Sequence, residues 1–206
     1  MTVPTPPATG HRVIVVDNYD SFTFSLARLF SLAGARVEVI REDRLPPLVP
    51  GGQDLIVLSP GPGRPEEHPV NLELLARLPS PIFGVCLGLQ AFALSVGARV
   101  LRGRPVHGRR SAVHHGGKGC FEGLPSPFPA TRYNSLLVER ATLPDDVEVT
   151  ADTRRGEVMG LRHRRLPIEA VQFHPESVRT RFGLQLVQNV LASITPSGEA
   201  DLRSRG

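Results

Sequence analysis

The chain has 206 residues, 40% of them hydrophobic, which suits one globular domain with a sizeable core. Its formal charge of +4 and pI near 9.8 do not make a nucleic-acid surface, because Lys118 is the only lysine and the arginines are scattered from Arg12 to Arg205. Two cysteines, Cys86 and Cys120, exclude a disulfide framework and a zinc site, and no run approaches the ~18 apolar residues of a membrane span, so a cytoplasmic protein with no membrane partner is expected.

Residues 1–11 form a Thr/Pro-rich lead-in without the apolar core of a signal peptide, residues 12–195 the domain, and residues 196–206 a flexible polar tail. Residues 12–17 are a short β-branched run, the pattern of a buried strand. Residues 21–33 follow with Phe22, Leu26, Leu29, Phe30 and Ala33 at helical spacing, Asp20 or Ser21 placed to cap the start and Gly34 the end. Residues 36–40 are a second strand, 54–59 a third, 70–78 a helix and 81–85 a fourth strand. Strands alternating with helices predict βαβ units and a parallel sheet.

After a helix over residues 89–96, the apolar runs between residues 99 and 172 become short and alternating, joined by turn formers such as Gly116-Gly117 and Pro144-Asp145. Antiparallel strands are expected there, and a final helix over residues 182–194. The predicted fold is α/β: a flavodoxin-like, open, mostly parallel central sheet flanked by helices, with a smaller antiparallel region in the second half.

Gly84-Val85-Cys86-Leu87-Gly88 lies between a predicted strand and a helix, the context of a nucleophile elbow with Cys in place of Ser. The glycines leave room for neighbouring backbone, and the helix N-terminus favours a thiolate. A lone cysteine at a strand end is most often a core thiol. The second half of the constellation is Phe173-His174-Pro175-Glu176: in an extended segment His174 and Glu176 face the same way, so the carboxylate can fix the imidazole tautomer and leave the other nitrogen to handle the thiol proton. An oxyanion needs donors; the Gly61 amide in Ser59-Pro60-Gly61-Pro62-Gly63 and the Leu87 amide are the candidates. His114-His115 lacks a third ligand and reads as a polar loop, His68 and His163 read as solvated, and Cys120 as a core thiol. No metal site is expected.

In order and spacing, four segments resemble the class I, triad-type glutamine amidotransferases: Asp17-Asn18-Tyr19-Asp20-Ser21-Phe22-Thr23, the loop of residues 59–63, the Cys86 elbow with Gln90, and residues 173–176. The first segment is similar to the chorismate-directed branch, the small subunits of anthranilate synthase and aminodeoxychorismate synthase. The resemblance implies that Cys86 attacks the glutamine amide with His174 and Glu176 completing the triad, and that Gly61, Pro62, Gly63, Gln90, Ser135 and Leu136 hold L-glutamine. It also implies that the ammonia passes to a chorismate-binding synthase subunit in a hetero-oligomer. That subunit would carry the magnesium, with no cofactor in this chain. Residues 17–23 and 107–111 would meet the partner. Leu89, Asn134, Ser25 and Arg109-Arg110 depart from the family's usual residues, which touches the glutamine pocket and the partner surface. The alternatives are a stand-alone glutamyl hydrolase on the same scaffold and a non-catalytic regulatory subunit.

Overall fold

The computed structural model describes residues 10–45, 52–77 and 80–194. The expected flexible tail, most of the lead-in, part of the loop before residue 54 and Leu78 lie outside them. Within the described residues the strands are β1 (Arg12–Asp17), β2 (Arg36–Arg41), β3 (Leu55–Leu58), β4 (Ile82–Val85), β5 (Val100–His115), β6 (Phe128–Val138), β7 (Val147–Asp152), β8 (Val158–His163) and β9 (Ile168–Val171). The α-helices are α1 (Thr23–Leu32), α2 (Pro69–Arg77), α3 (Leu87–Ser95) and α4 (Gly183–Ala192).

The sheet order is β2-β1-β3-β4-β9-β8-β7-β5-β6. The first five strands are parallel; β8, β7, β5 and β6 continue the sheet antiparallel. The α/β class, the parallel first half and the antiparallel second half are as the sequence pattern predicts. No helix among the described residues is long and apolar enough to cross a membrane.

The central parallel strands β3 and β4 are apolar and buried throughout because both faces are covered, whereas the edge strand β2 alternates with exposed Arg36, Glu38 and Arg41. Val13, Val15, Val57, Phe83 and Val85 pack in one core with Leu26 and Phe30 of α1 and Leu186, Val187 and Val190 of α4. Their strand neighbours Val16, Ile56, Leu58 and Ile82 turn to the other face, against Leu74 and Leu75 of α2 and Leu89, Phe92 and Ala93 of α3. An aromatic group of Phe121, Phe128, Phe173 and Phe182 closes the first core beneath the antiparallel strands, with Phe128 and Phe173 edge to face at 5.6 Å. Cys120 lies in that core, fully buried, and burial with the Glu169 carboxylate beside it pushes its thiol well up.

Three local expectations are corrected. Neither Asp20 nor Ser21 caps α1: the cap residue is Phe22, and the Asp20 carboxylate instead accepts from the Phe22 amide at 2.7 Å in a turn before the helix. Helix α3 starts two residues earlier than its apolar pattern suggests, directly after Cys86. His114-His115 is the end of β5 rather than a loop, and the His115 ring stacks on Phe121 at 4.8 Å. Gly34 does end α1, with φ 99° and the Ala35 amide returning to the Phe30 carbonyl.

Gly88 fixes how closely α3 lies on β3, since a Cβ there would sit 2.6 Å from the Leu58 carbonyl oxygen and 2.9 Å from its Cβ. Gly88→Ala is expected to lower stability by about 1–3 kcal/mol, read as a fall in the denaturation midpoint; an unchanged midpoint would show that the helix is free to shift.

Candidate active site

Cys86 occupies a turn that few residues adopt. Its φ is 55° and ψ −96°, and it is the residue that leaves β4 and caps α3. Such backbone is strained for a non-glycine residue, at a cost on the order of 1–3 kcal/mol. The turn is held by the Cys86 amide, which donates to Val171 of β9 at 2.8 Å, and by the Gln90 amide, which returns to the Cys86 carbonyl at 3.2 Å. The flanking glycines are sterically required: a Cβ on Gly84 would meet the Gly88 carbonyl carbon at 2.6 Å, and one on Gly88 would meet β3. The sulfur therefore sits at the carboxyl end of a parallel sheet, with the first turn of α3 behind it.

His174 follows β9, the strand beside β4. Its backbone is pinned on both sides: its amide donates to Thr131 at 2.9 Å, and its carbonyl accepts from the Thr180 hydroxyl at 2.8 Å. The side chain is buried, and Nδ1 meets the Glu176 carboxylate at 2.5 Å. With Nδ1 engaged, Nε2 is the nitrogen free for the sulfur; it has no other partner among the described residues. Burial disfavours the imidazolium, but the sulfur of Cys86 and the carboxylate of Glu176 outweigh it and hold His174 up at about 10. Phe22 and Tyr133 stand edge-on to the imidazole at 5.3 and 5.1 Å. A bare glycine at position 183 lets α4 start against Pro175, since a Cβ there would run into the Pro175 carbonyl.

The loop of residues 59–63 reaches the same place from β3. A Cβ on Gly61 would collide with the Leu87 side chain, so the two residues are in contact. Ser59 is fully buried and ties this loop to the segment after β1: the Asn18 amide donates to its hydroxyl at 3.1 Å, the Asn18 side chain donates to its carbonyl at 2.9 Å, and Thr23 meets it at 3.3 Å. Thr23 also donates to Asp17 at 2.9 Å, and Asn71 of α2 donates to Asn18 at 3.0 Å. The first sequence motif and the glycine-rich loop thus form one hydrogen-bonded unit.

His68 corrects the expectation of a solvated side chain. It is 5% exposed; Nε2 donates to the Pro62 carbonyl at 2.9 Å, and Nδ1 faces the Glu42 carboxylate at 3.0 and 3.1 Å. It clamps the glycine-rich loop to the turn after β2. His163 is half-buried and accepts from the Arg165 and Leu166 amides at 3.1 Å each, ordering its own turn rather than the site.

Of the residues expected to line a ligand pocket, Gln90 and Leu136 are buried together, the Gln90 amide facing the Leu136 carbonyl at 3.5 Å, whereas Ser135 is exposed. Pro62 and Gly63 are exposed on the loop, Gly63 with φ 74°. Among the departures, Leu89 is core, Ser25 is exposed, and Asn134 is buried, donating to the Leu136 carbonyl at 2.9 Å. Gln172 was not singled out by the sequence; it is fully buried, with its amide 3.5 Å from the Cys86 sulfur. Its signal is the alternation of an extended chain, which puts residues 172 and 174 on one face. Finally, residues 17–23 and 107–111 converge on Tyr133, whose ring lies tilted against Phe22 at 5.0 Å; it pairs with His107 and lies against Gly108.

Comparison with known proteins gives the family. The family model for glutamine amidotransferase class-I matches residues 14–194. The aminodeoxychorismate/anthranilate synthase component 2 of Bacillus subtilis is 44% identical over 184 residues, 87% of this chain and 95% of the relative. The anthranilate synthase component 2 of Azospirillum brasilense is 45% identical over 188 residues, 87% of this chain and 94% of the relative. A crystal structure from Thermoplasma acidophilum, described as a candidate GMP synthase protein, superposes with a TM-score of 0.82 at 26% identity, covering 95% of this chain and 98% of that one.

The raised His174 pKa makes a direct prediction. Below about 10 the ring is an imidazolium, and it loses its proton only as the pH rises through that value. Its NMR titration should show this midpoint, and Cys86→Ala should bring it down, because burial remains while the sulfur's contribution is gone; a midpoint near the ordinary ~6.5 in the unaltered protein would contradict it. A cysteine elbow, an imidazole fixed by a carboxylate beside it and a family match over nearly all the described chain together place this protein in the class-I glutamine amidotransferase family.

Proposed function

We propose that this chain is the glutaminase component of a two-component synthase that aminates chorismate. The single observation that carries the chemistry is the side-by-side placement of Cys86 on its strained turn and the Glu176-oriented imidazole of His174. In this reading the Cys86 thiolate attacks the side-chain carbonyl carbon of glutamine. The carbonyl π electrons move to oxygen, which the Gly61 and Leu87 amides receive. The imidazolium of His174 gives its proton to the departing nitrogen, the C–N bond breaks, and ammonia leaves a glutamyl thioester on Cys86. Water then attacks that thioester while His174 takes its proton, the thiolate departs and glutamate is released. Glu176 holds the tautomer and stabilises the imidazolium in both halves.

Gly61, Pro62, Gly63, Gln90, Ser135 and Leu136 are the residues assigned to glutamine. Gln90 and Leu136 form the buried back of the site, and the loop and Ser135 its open side. The relatives named as component 2 support a separate partner that consumes the ammonia. In that reading, the surface around Tyr19, Phe22 and Tyr133, where residues 17–23 and 107–111 meet, faces it. On the same reading, the magnesium the synthase reaction needs would be held by the partner.

The test is ammonia release from glutamine by the purified chain, with and without a chorismate-utilising synthase as partner. Activity should rise when that partner is present and fall by at least about a thousandfold in Cys86→Ser; release that survives Cys86→Ser would overturn the mechanism, and high activity indifferent to the partner would favour a stand-alone hydrolase. His68→Ala should raise the KM for glutamine several-fold with a smaller change in kcat, since it loosens the loop that carries Gly61 and Gly63; equal falls in both constants would place His68 elsewhere in the reaction.

A further inference from the structure

The nucleophile is the end of a hydrogen-bonded chain that the triad does not explain. Gln172 is fully buried, with Nε2 3.5 Å from the Cys86 sulfur and Oε1 3.2 Å from Gln90 Nε2. Gln90 Nε2 also faces the Leu136 carbonyl at 3.5 Å, and that carbonyl accepts from Asn134 Nδ2 at 2.9 Å. Asn134 Oδ1 accepts from Arg132 Nε at 3.1 Å, and Arg132, 2% exposed, is paired with Glu157 at 2.8 Å.

The direction of this chain follows from its fixed members. The nitrogen and oxygen of an amide are told apart by their neighbours, so the direction has to be traced from groups that cannot be turned over. Arg132 only donates, which turns the Asn134 oxygen towards it and the Asn134 nitrogen to the Leu136 carbonyl. That carbonyl only accepts, so it takes the nitrogen of Gln90 as well. The same Gln90 nitrogen faces Gln172, which must answer with its oxygen. One end of the Gln172 amide is then left for the sulfur, and it is the N–H donor. Each link has a single allowed polarity.

We infer that Gln172 is a positioning residue for Cys86: it holds the sulfur towards His174 and favours its thiolate by donating an N–H, with its orientation locked through Gln90, Asn134 and Arg132. A donor to an anionic acceptor forms a stronger bond than a donor to a neutral one, so the amide supports the thiolate more than the thiol. His174 and, behind it, Glu176 act at the sulfur from one side, and the first turn of α3 carries no acidic residue. Gln172 adds a neutral donor on the strand-end segment that also carries the base. The inference rests on Cys86 being the nucleophile, but its test reads the sulfur directly and does not need turnover.

That test is the rate of Cys86 alkylation by iodoacetamide across pH, followed by the mass of the Cys86 peptide, with the fully buried Cys120 as an unreactive internal reference. Gln172→Met keeps the volume and removes the donor, and Gln172→Glu keeps the shape and presents acceptors. In both, the midpoint of the alkylation profile should move up by about one pH unit, and the rate at neutral pH should fall about tenfold. Glutaminase kcat should fall with it while KM holds. Asn134→Ala, which breaks the chain away from the sulfur, should shift the profile in the same direction by a smaller amount, and it carries the test where a Gln172 variant does not fold. A profile unmoved in the folded variants would overturn the role of Gln172. Ammonia release that survives Cys86→Ser would instead overturn the proposed mechanism, leaving the alkylation result to stand by itself.

Discussion

A cysteine held with φ 55° at the end of a buried strand is the constraint on which the rest of this molecule turns. The strain is tolerated because the elements around it are over-determined: β4 is paired with a parallel strand on each side, α3 presses on β3 through a position that admits only glycine, and the Cys86 amide is spent on β9. The strain of about 1–3 kcal/mol is small beside the burial of β3, β4 and α3, whose side chains are almost wholly removed from water. What it secures is a cysteine at the carboxyl end of the sheet, packed against the core but with its sulfur facing Gln172, whereas Cys120 is fully enclosed.

The pairing of β4 with β9 has a second consequence. Because β9 runs beside the strand that carries the nucleophile, the residues just beyond it emerge at the same level, and their alternation delivers Gln172 and His174 to the sulfur while Phe173 points back into the aromatic core. Pro175 and Glu176 then form a turn, closed by the Ser177 amide on the His174 carbonyl at 3.3 Å, and this turn brings the carboxylate back to Nδ1. On the other flank, β3 is followed by Ser59, whose buried hydroxyl and carbonyl bind Asn18 of the segment after β1. The loop that touches Leu87 and the segment that exposes Tyr19 are therefore coupled through buried hydrogen bonds, so a contact made on the outer surface has a short physical route to the site.

Much of this was legible in the sequence, for identifiable reasons. The parallel strands are short β-branched runs between helical periods, and the two glycines around Cys86 are needed by steric contacts that any such turn must satisfy. His174 and Glu176 lie two apart on either side of a proline, so their partnership is legible, although a turn through Pro175 rather than the expected extended run brings them together. What the local sequence does not show depends on distant partners. His68 stands in a run of Pro, Glu and Arg that looks like a solvated surface, and only the return of the chain at Glu42 and Pro62 buries it. Strand β5 is sixteen residues long, but Gly103, Pro105 and Gly108 interrupt its pattern, and its register against β6 shifts twice there, which reads locally as turns. Gln172 is polar within an apolar run, and its role exists only because Gln90 arrives from α3.

If Cys86 acts as proposed, its sulfur forms an acyl bond with the side chain of glutamine. The mass of the Cys86 peptide after brief incubation with glutamine and acid quenching reads that bond without an intermediary. An added glutamyl group is expected on that peptide, sensitive to hydroxylamine as a thioester is, and accumulating when the hydrolysis step is slowed. Ammonia released at an undiminished rate with no adduct on Cys86, or an adduct mapped to another residue, would contradict it.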